Sequence, residues 1–179
     1  MTEAVSNLPQ SGMLLLFRCA GVDFALDVDS VERASWLVAA QPLPEASDYV
    51  VGITALQGES VLLVDLARRL GLEGAAQYGL HTPLVWCRGG GRRAALAVDE
   101  IEGVAAAAVN GADMSELLCQ GRAPLLGAVR HDGRTWLLLD PARLLAFDLA
   151  QEASELRLDR DVLQRWLLAG EAAQEDADE

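Results

Sequence analysis

VGITALQGESVLLVDLARRL, residues 51–70, returns as LGAVRHDGRTWLLLDPARLL, residues 126–145, at an offset of 75. Eight of the twenty positions are identical without a gap: Gly52/Gly127, Gly58/Gly133, Leu62/Leu137, Leu63/Leu138, Asp65/Asp140, Ala67/Ala142, Arg68/Arg143 and Leu70/Leu145. Upstream, Leu26-Asp27-Val28-Asp29-Ser30-Val31-Glu32 recurs as Leu96-Ala97-Val98-Asp99-Glu100-Ile101-Glu102, at an offset of 70 and with four of seven positions identical. The same offset aligns Leu14 with Leu84, Arg18 with Arg88 and Gly21 with Gly91. The change of offset puts five extra residues in the middle of the second copy. Two blocks in the same order, with Gly and Asp among the matches, mark an internal duplication rather than a chance likeness of Leu/Ala/Val-rich segments.

Each copy reads as strands. Met13 to Cys19 and Thr82 to Cys87 are short apolar runs. Gly21 and Gly89-Gly90-Gly91 then mark tight hairpin turns. Asp23 to Val28 and Arg93 to Val98 return as second strands, and Val50 to Leu56 and Leu125 to Arg130 form third strands. Gln57-Gly58 and Asp132-Gly133 turn the chain again; an Asp-Gly pair between apolar runs is a strong hairpin signal. Ser60 to Val64 and Thr135 to Leu139 are nearly all apolar, as strands covered on both faces are. Asp65 and Asp140 stand where helix N-caps belong, and Pro141 fits the first helical position. The spacing predicts short helices over Leu66–Leu70 and Pro141–Phe147. The expected fold is mainly β: two small antiparallel barrels of about five strands, each closed by a short helix, which removes exposed edges.

Residues 1–12 read as a flexible lead-in, 13–150 as the duplicated domain, with halves of approximately 13–80 and 81–150 that admit exchange of terminal strands. In 151–170, Asp159 reads as an N-cap, with Val162, Leu163, Trp166 and Leu167 at helical spacing before Gly170. Residues 171–179 form an acidic tail expected to be disordered.

Charge excludes some functions. The net charge is −13, and the tail acids Glu171, Glu175, Asp176, Asp178 and Glu179 supply less than half of it, so the body is acidic too. Such a surface has no general attraction for phosphate backbones or anionic lipid, which argues against nucleic-acid binding. An aromatic content of 5% also lacks the stacking platforms of single-strand-binding barrels. All 14 basic residues are arginine, suited to bidentate contacts with a partner's carboxylates. No apolar run approaches the length of a membrane span and no secretory h-region follows the N-terminus, so no membrane insertion is expected. Cys19, Cys87 and Cys119 are odd in number and far apart, which disfavours a disulfide framework or zinc site and fits a reducing cytoplasm.

Catalytic chemistry is not visible. His81 precedes a strand and His131 sits in a turn, and both read as solvated turn residues. No H-E-x-x-H or G-x-S-x-G occurs, and the glycine triplet lacks the rest of a phosphate loop. The pairs Asp29/Asp99 and Asp65/Asp140 recur in both copies, as caps and turns would. No catalytic, metal or cofactor-binding residue is assigned.

The repeated blocks resemble the CheW-like domain family over roughly residues 13–147. That family shows V-x-E-I, then Leu-Pro, then V-x-G-x-x-N-L-R-G, then V-x-P-V-x-D-L. Here these positions hold Val31-Glu32-Arg33-Ala34, Leu43-Pro44, Val50 through Gly58, and Val61 through Leu66. Ala95 to Val104 and Leu126 to Leu145 resemble the family's second half. The resemblance implies a double SH3-like barrel and a cytoplasmic, non-catalytic adaptor or scaffold without cofactor. It would bridge chemoreceptor cytoplasmic tips, in a groove between the barrels, to the regulatory domain of a CheA-type histidine kinase. Three positions depart from the pattern: Arg33 replaces a glutamate, Gln57 an arginine and Leu62 a proline. The first two are charged coupling positions in the family, so the resemblance implies a specialised partner. An alternative is a scaffold or inhibitory regulator outside motility, in surface sensing or polar organisation. Val31, Arg33, Gln57 and Gly58 are the partner-binding candidates by position. Trp36 and Tyr49 are added as aromatic anchors of the kind enriched at interface centres; for Trp36 a core position is an equal alternative.

Overall fold

The apolar runs become strands because their neighbours cover them on both faces. In Met13–Cys19 (β1), Leu15 and Phe17 enter one core and Leu14 and Leu16 another. In the equivalent Pro83–Gly89 (β6), Val85 and Cys87 enter the shared core and Leu84 and Trp86 a third. Alternation between two apolar environments is what a two-residue side-chain period produces. The computed structural model describes residues 12–37, 39–44, 46–72, 78–106, 109–110 and 123–147. The expected C-terminal helix and tail lie outside the described residues, as does Cys119.

The remaining strands are β2 (Val22–Asp27), β3 (Val31–Trp36), β4 (Val50–Leu56), β5 (Glu59–Asp65), β7 (Arg92–Ala97), β8 (Glu100–Ala106), β9 (Val109–Asn110), β10 (Leu125–His131) and β11 (Arg134–Leu139). A 3-10 turn spans Val28–Ser30. Two single-turn helices follow β5 and β11: α1 (Leu66–Arg69) and α2 (Pro141–Leu144), each shorter than expected. Asp65 accepts from the Arg68 amide, and Asp140 from those of Ala142 and Arg143, so both are the predicted N-caps.

The strands form two sheets, ordered β8-β1-β2-β11-β10-β9 and β3-β6-β7-β5-β4. The fold is mainly β and of the expected class, with two differences. Among the described residues each hydrogen-bonded ladder stays open at its ends. Each sheet also contains one parallel pair, β2 with β11 and β5 with β7, where antiparallel pairing throughout was expected. Under the repeat, β1 to β5 correspond to β6, β7, β8, β10 and β11. Each sheet therefore draws strands from both copies, in the same order. The irregularities repeat as well. Glu32 and Glu102 are the extra residues where β3 meets β6 and β8 meets β1. Val51 and Leu126 are the extra residues of the β4–β5 and β10–β11 ladders. Bulges conserved between copies show that the local twist belongs to the repeat unit.

The largest core lies between the sheets and includes Phe17, Phe24, Leu66, Leu70, Leu96, Leu137 and Leu144. Two smaller cores lie on the sheets' other faces, around Trp86 and around Trp136. Where β6 passes α2 the backbones nearly touch: a Cβ on Gly89 would stand 2.4 Å from the Pro141 carbonyl carbon. Only glycine permits that approach. Nearby, the buried Arg69 donates to the Leu144 and Ala146 carbonyls at 3.1 and 3.3 Å. Its guanidinium lies 4.7 Å from the Tyr49 ring centroid and 5.1 Å from that of Phe147. The cation thereby occupies carbonyls that the end of α2 leaves without helical partners.

Candidate partner interface

Arg33 sits on β3 and Gln57 in the β4–β5 hairpin, yet the two side chains meet. Arg33 Nη1 donates to Gln57 Oε1 at 3.1 Å, and Nη2 pairs with Glu59 at 3.0 Å. Gln57 (φ 53°) and Gly58 (φ 82°) are both left-handed, as a two-residue type I′ turn requires, and this aims Gln57 back at β3. The network continues through Glu59 to Arg93 at 3.0 Å and from Arg93 to Glu32 at 2.6 Å. The hydrogen bonds from Arg93 hold the Glu32 carboxyl below the usual carboxylate range, and Arg88 and Arg33 add to the effect. Beneath, the Arg33 guanidinium lies 5.3 Å from the Trp86 ring centroid, whose Nε1 donates to Ser35 Oγ at 2.9 Å. The surface is thus a row of alternating charges standing on an indole.

The six candidates separate. Arg33, Gln57 and Gly58 come together. Val31, earlier on the same strand, is half-buried against the main core. Trp36 is 60% exposed, which settles its alternative in favour of the surface. Side chains alternate along a strand, so Ala34 and Trp36 face away from Arg33 and Ser35. On that side Trp36 meets the His81 ring edge-on at 6.3 Å between centroids. A groove of about 660 Å³ runs there between β3 and β8, lined by Trp36, His81, Pro83, Asp99, Glu100 and Ile101 among others. Leu80 and Val104, both more than half exposed, add apolar surface that the sequence reading did not select. Tyr49 is buried, stacked on Phe147 at 5.9 Å and covered by Arg69, which leaves it no accessible face as an anchor.

A second cavity of about 430 Å³ is lined by Cys19, Asp65, Tyr78, Thr82, Val98 and Asp99 among others. Its polar groups are engaged in structure. Asp65 caps α1, accepts the Tyr78 hydroxyl and pairs with Arg68 at 3.3 Å. Asp99 accepts the Ala20 amide at 2.7 Å. Burial, then Asp99 and Asp65, push the Cys19 thiol up, and burial pushes Cys87 up to about 12. Neither is a thiolate near neutrality, as nucleophilic or ligating cysteines must be. Among the described residues no group of three His, Cys, Asp or Glu side chains could hold a metal ion. No described helix is long and apolar enough to cross a membrane.

Comparison with known proteins agrees with this architecture. The chain is similar to "Chemotaxis protein CheW" of Rhizobium meliloti (strain 1021), 31% identical over 86 residues, covering 48% of this chain and 56% of that protein. It is 30% identical over 86 residues, with the same coverage, to "Probable chemotaxis protein CheW" of Rhizobium etli. The chain thus matches about half the length of these curated relatives. The crystal structure of scaffolding protein TtCheW from Thermoanaerobacter tengcongensis shares the fold, with a TM-score of 0.63 at 19% identity over 79% of this chain and 97% of that one. The model of the CheW-like domain matches residues 13–148, and the chain belongs to that family.

Proposed function

We propose that this chain is a cytoplasmic, non-catalytic adaptor that couples chemoreceptors to the regulatory domain of a CheA-type histidine kinase in a specialised chemosensory pathway. Its membership in the CheW-like domain family over residues 13–148 carries the reading. The contact between Arg33 and Gln57 supports the specialised part. These two family-departing positions touch, so the substitutions act as one altered patch. A guanidinium in place of a carboxylate inverts the local field, and inversion converts an attractive contact to a repulsive one. The groove beside Trp36 is the surface on which a receptor tip would lie, and its acidic rim at Asp99 and Glu100 favours a partner with basic side chains.

The test is a binding titration against the regulatory domain of the kinase encoded nearest to this protein's gene. Binding at micromolar Kd or tighter is expected, weakened about tenfold by Gln57→Ala, Val31→Ala or Arg33→Glu. Absence of binding contradicts coupling and favours a scaffold or regulator outside motility. Normal binding to a general chemotaxis kinase, untouched by Arg33→Glu, removes the specialised part alone.

A further inference from the structure

We infer that the chain's own C-terminal segment, through Val162, Leu163, Trp166 and Leu167, covers an apolar corner formed by Met13, Val104 and Ala106 where β1 begins and β8 ends. Among the described residues four large apolar side chains are exposed: Met13, Trp36, Leu80 and Val104. The repeat sorts them onto two equivalent corners. At the offset of 70, Met13 matches Pro83, Val104 matches Ala34 and Ala106 matches Trp36. The pairing agrees: Met13 faces Ala106 as Pro83 faces Trp36, and Leu15 faces Val104 as Val85 faces Ala34. Leu15 and Val85 both point into the main core, so the residues opposite them lie along its rim. Each corner is thus an open edge of one shared core.

The chain that follows α1 partly closes the first corner. The Tyr78 hydroxyl donates to Asp65, the cap of α1, the Thr82 carbonyl accepts the Leu37 amide at 2.9 Å, and His81 rests against Trp36. Asp140 matches Asp65 and α2 matches α1, so the residues after α2 are the ones placed to close the second corner. Register brings them near it. Leu138 pairs with Ala25, which sets Asp140 beside Asp27. Asp27 faces Leu14, and Leu14 faces Ala105 on its other side. The strands β11, β2, β1 and β8 therefore end together, and β8 lies three strand spacings from β11, about 14 Å. Residues 148–158, at about 3.3 Å each when extended, reach more than twice that distance. The Trp36 corner is farther off, because α2 packs at Gly89 and Trp36 faces Pro83, at opposite ends of β6.

Composition favours this occupant. Val162, Leu163, Trp166 and Leu167 form one stripe at helical spacing, and the charges of Asp159, Arg160, Asp161 and Arg165 around it cancel. The second corner suits a neutral, apolar cover: the acids Asp99 and Glu100 of the first corner are matched here by Asp29 and Ser30. Residues 1–11 also arrive at this corner, but their large apolar side chains, Met1, Val5 and Leu8, are scattered among polar ones. With the second corner closed from within, the Trp36 corner alone is left open to a partner. This holds whether or not the partner is a receptor.

The test is an NMR experiment on the full chain, using a mixture of isotope-labelled and unlabelled protein so that contacts within and between chains are separated. NOEs within one chain from the Val104 methyls to side chains of residues 156–167 are expected. Random-coil shifts throughout that segment overturn the inference, as do contacts from Trp166 to Trp36 or His81. So do Val104 contacts made only by residues 1–11, or only by a second copy. A second reading uses two variants at exposed, equivalent positions. Val104→Asp is expected to speed amide exchange in residues 160–168 about tenfold or more, and Ala34→Asp to leave it unchanged. Equal exchange in both variants overturns the inference.

Discussion

Glu32 illustrates how a single half-buried charge acquires a defined state. It is the bulge residue of β3, and its carboxylate reaches across β6 to Arg93 on β7. Hydrogen bonds from Arg93 lower its pKa. A depressed carboxylate pKa gives stability that is present above the unfolded value, about 4.3, and is lost as pH falls through the lower folded value. Arg93→Gln is expected to bring the Glu32 titration, followed by carboxyl NMR shifts, back to the ordinary range. An unchanged titration would mean that Arg93 does not govern the site. At this scale the sequence was a partial guide. Arg33 and Gln57 stood out because they depart from a pattern. Tyr49 was misjudged because its burial depends on Arg69, a cation whose counterpart in the second copy is Leu144, so no repeat signal announced it.

Hairpins and caps are the elements that local chemistry writes most directly. Asp-Gly, Gln-Gly and Gly-Gly each set two left-handed residues in turns that match strand twist. Ala20 takes the same left-handed place (φ 50°) that Gly90 takes in the second copy (φ 58°), although a Cβ is disfavoured there. Ala20→Gly is therefore expected to stabilise the protein by about 0.5–1 kcal/mol in urea unfolding, relief of strain exceeding the added freedom of the unfolded chain. A loss of stability would show that the turn bears no strain. The strands β3 and β8 were not located from sequence. As edge strands they keep Ala34, Trp36, Val104 and Ala106 exposed, so neither shows the apolar run that marked the inner strands.

At the scale of the molecule, the duplication announced two equivalent units, but not which strands pair. A repeat constrains each copy's local structure equally, whereas pairing depends on where the short links at residues 28–30 and 98–99 carry the chain, from one sheet to the other. The copies also differ at the surface: the Arg33–Gln57 patch and the Trp36 groove have no identical counterpart in the second copy. Two distinct surfaces on opposite faces of β3 are what an adaptor with two different partners requires. The most direct test is kinase phosphorylation in a reconstituted mixture of receptor-bearing vesicles, kinase and this protein. Receptor-dependent stimulation that requires this protein, and is lost with Trp36→Ala while kinase binding persists, is the predicted result. Kinase activity indifferent to its presence would contradict the coupling role.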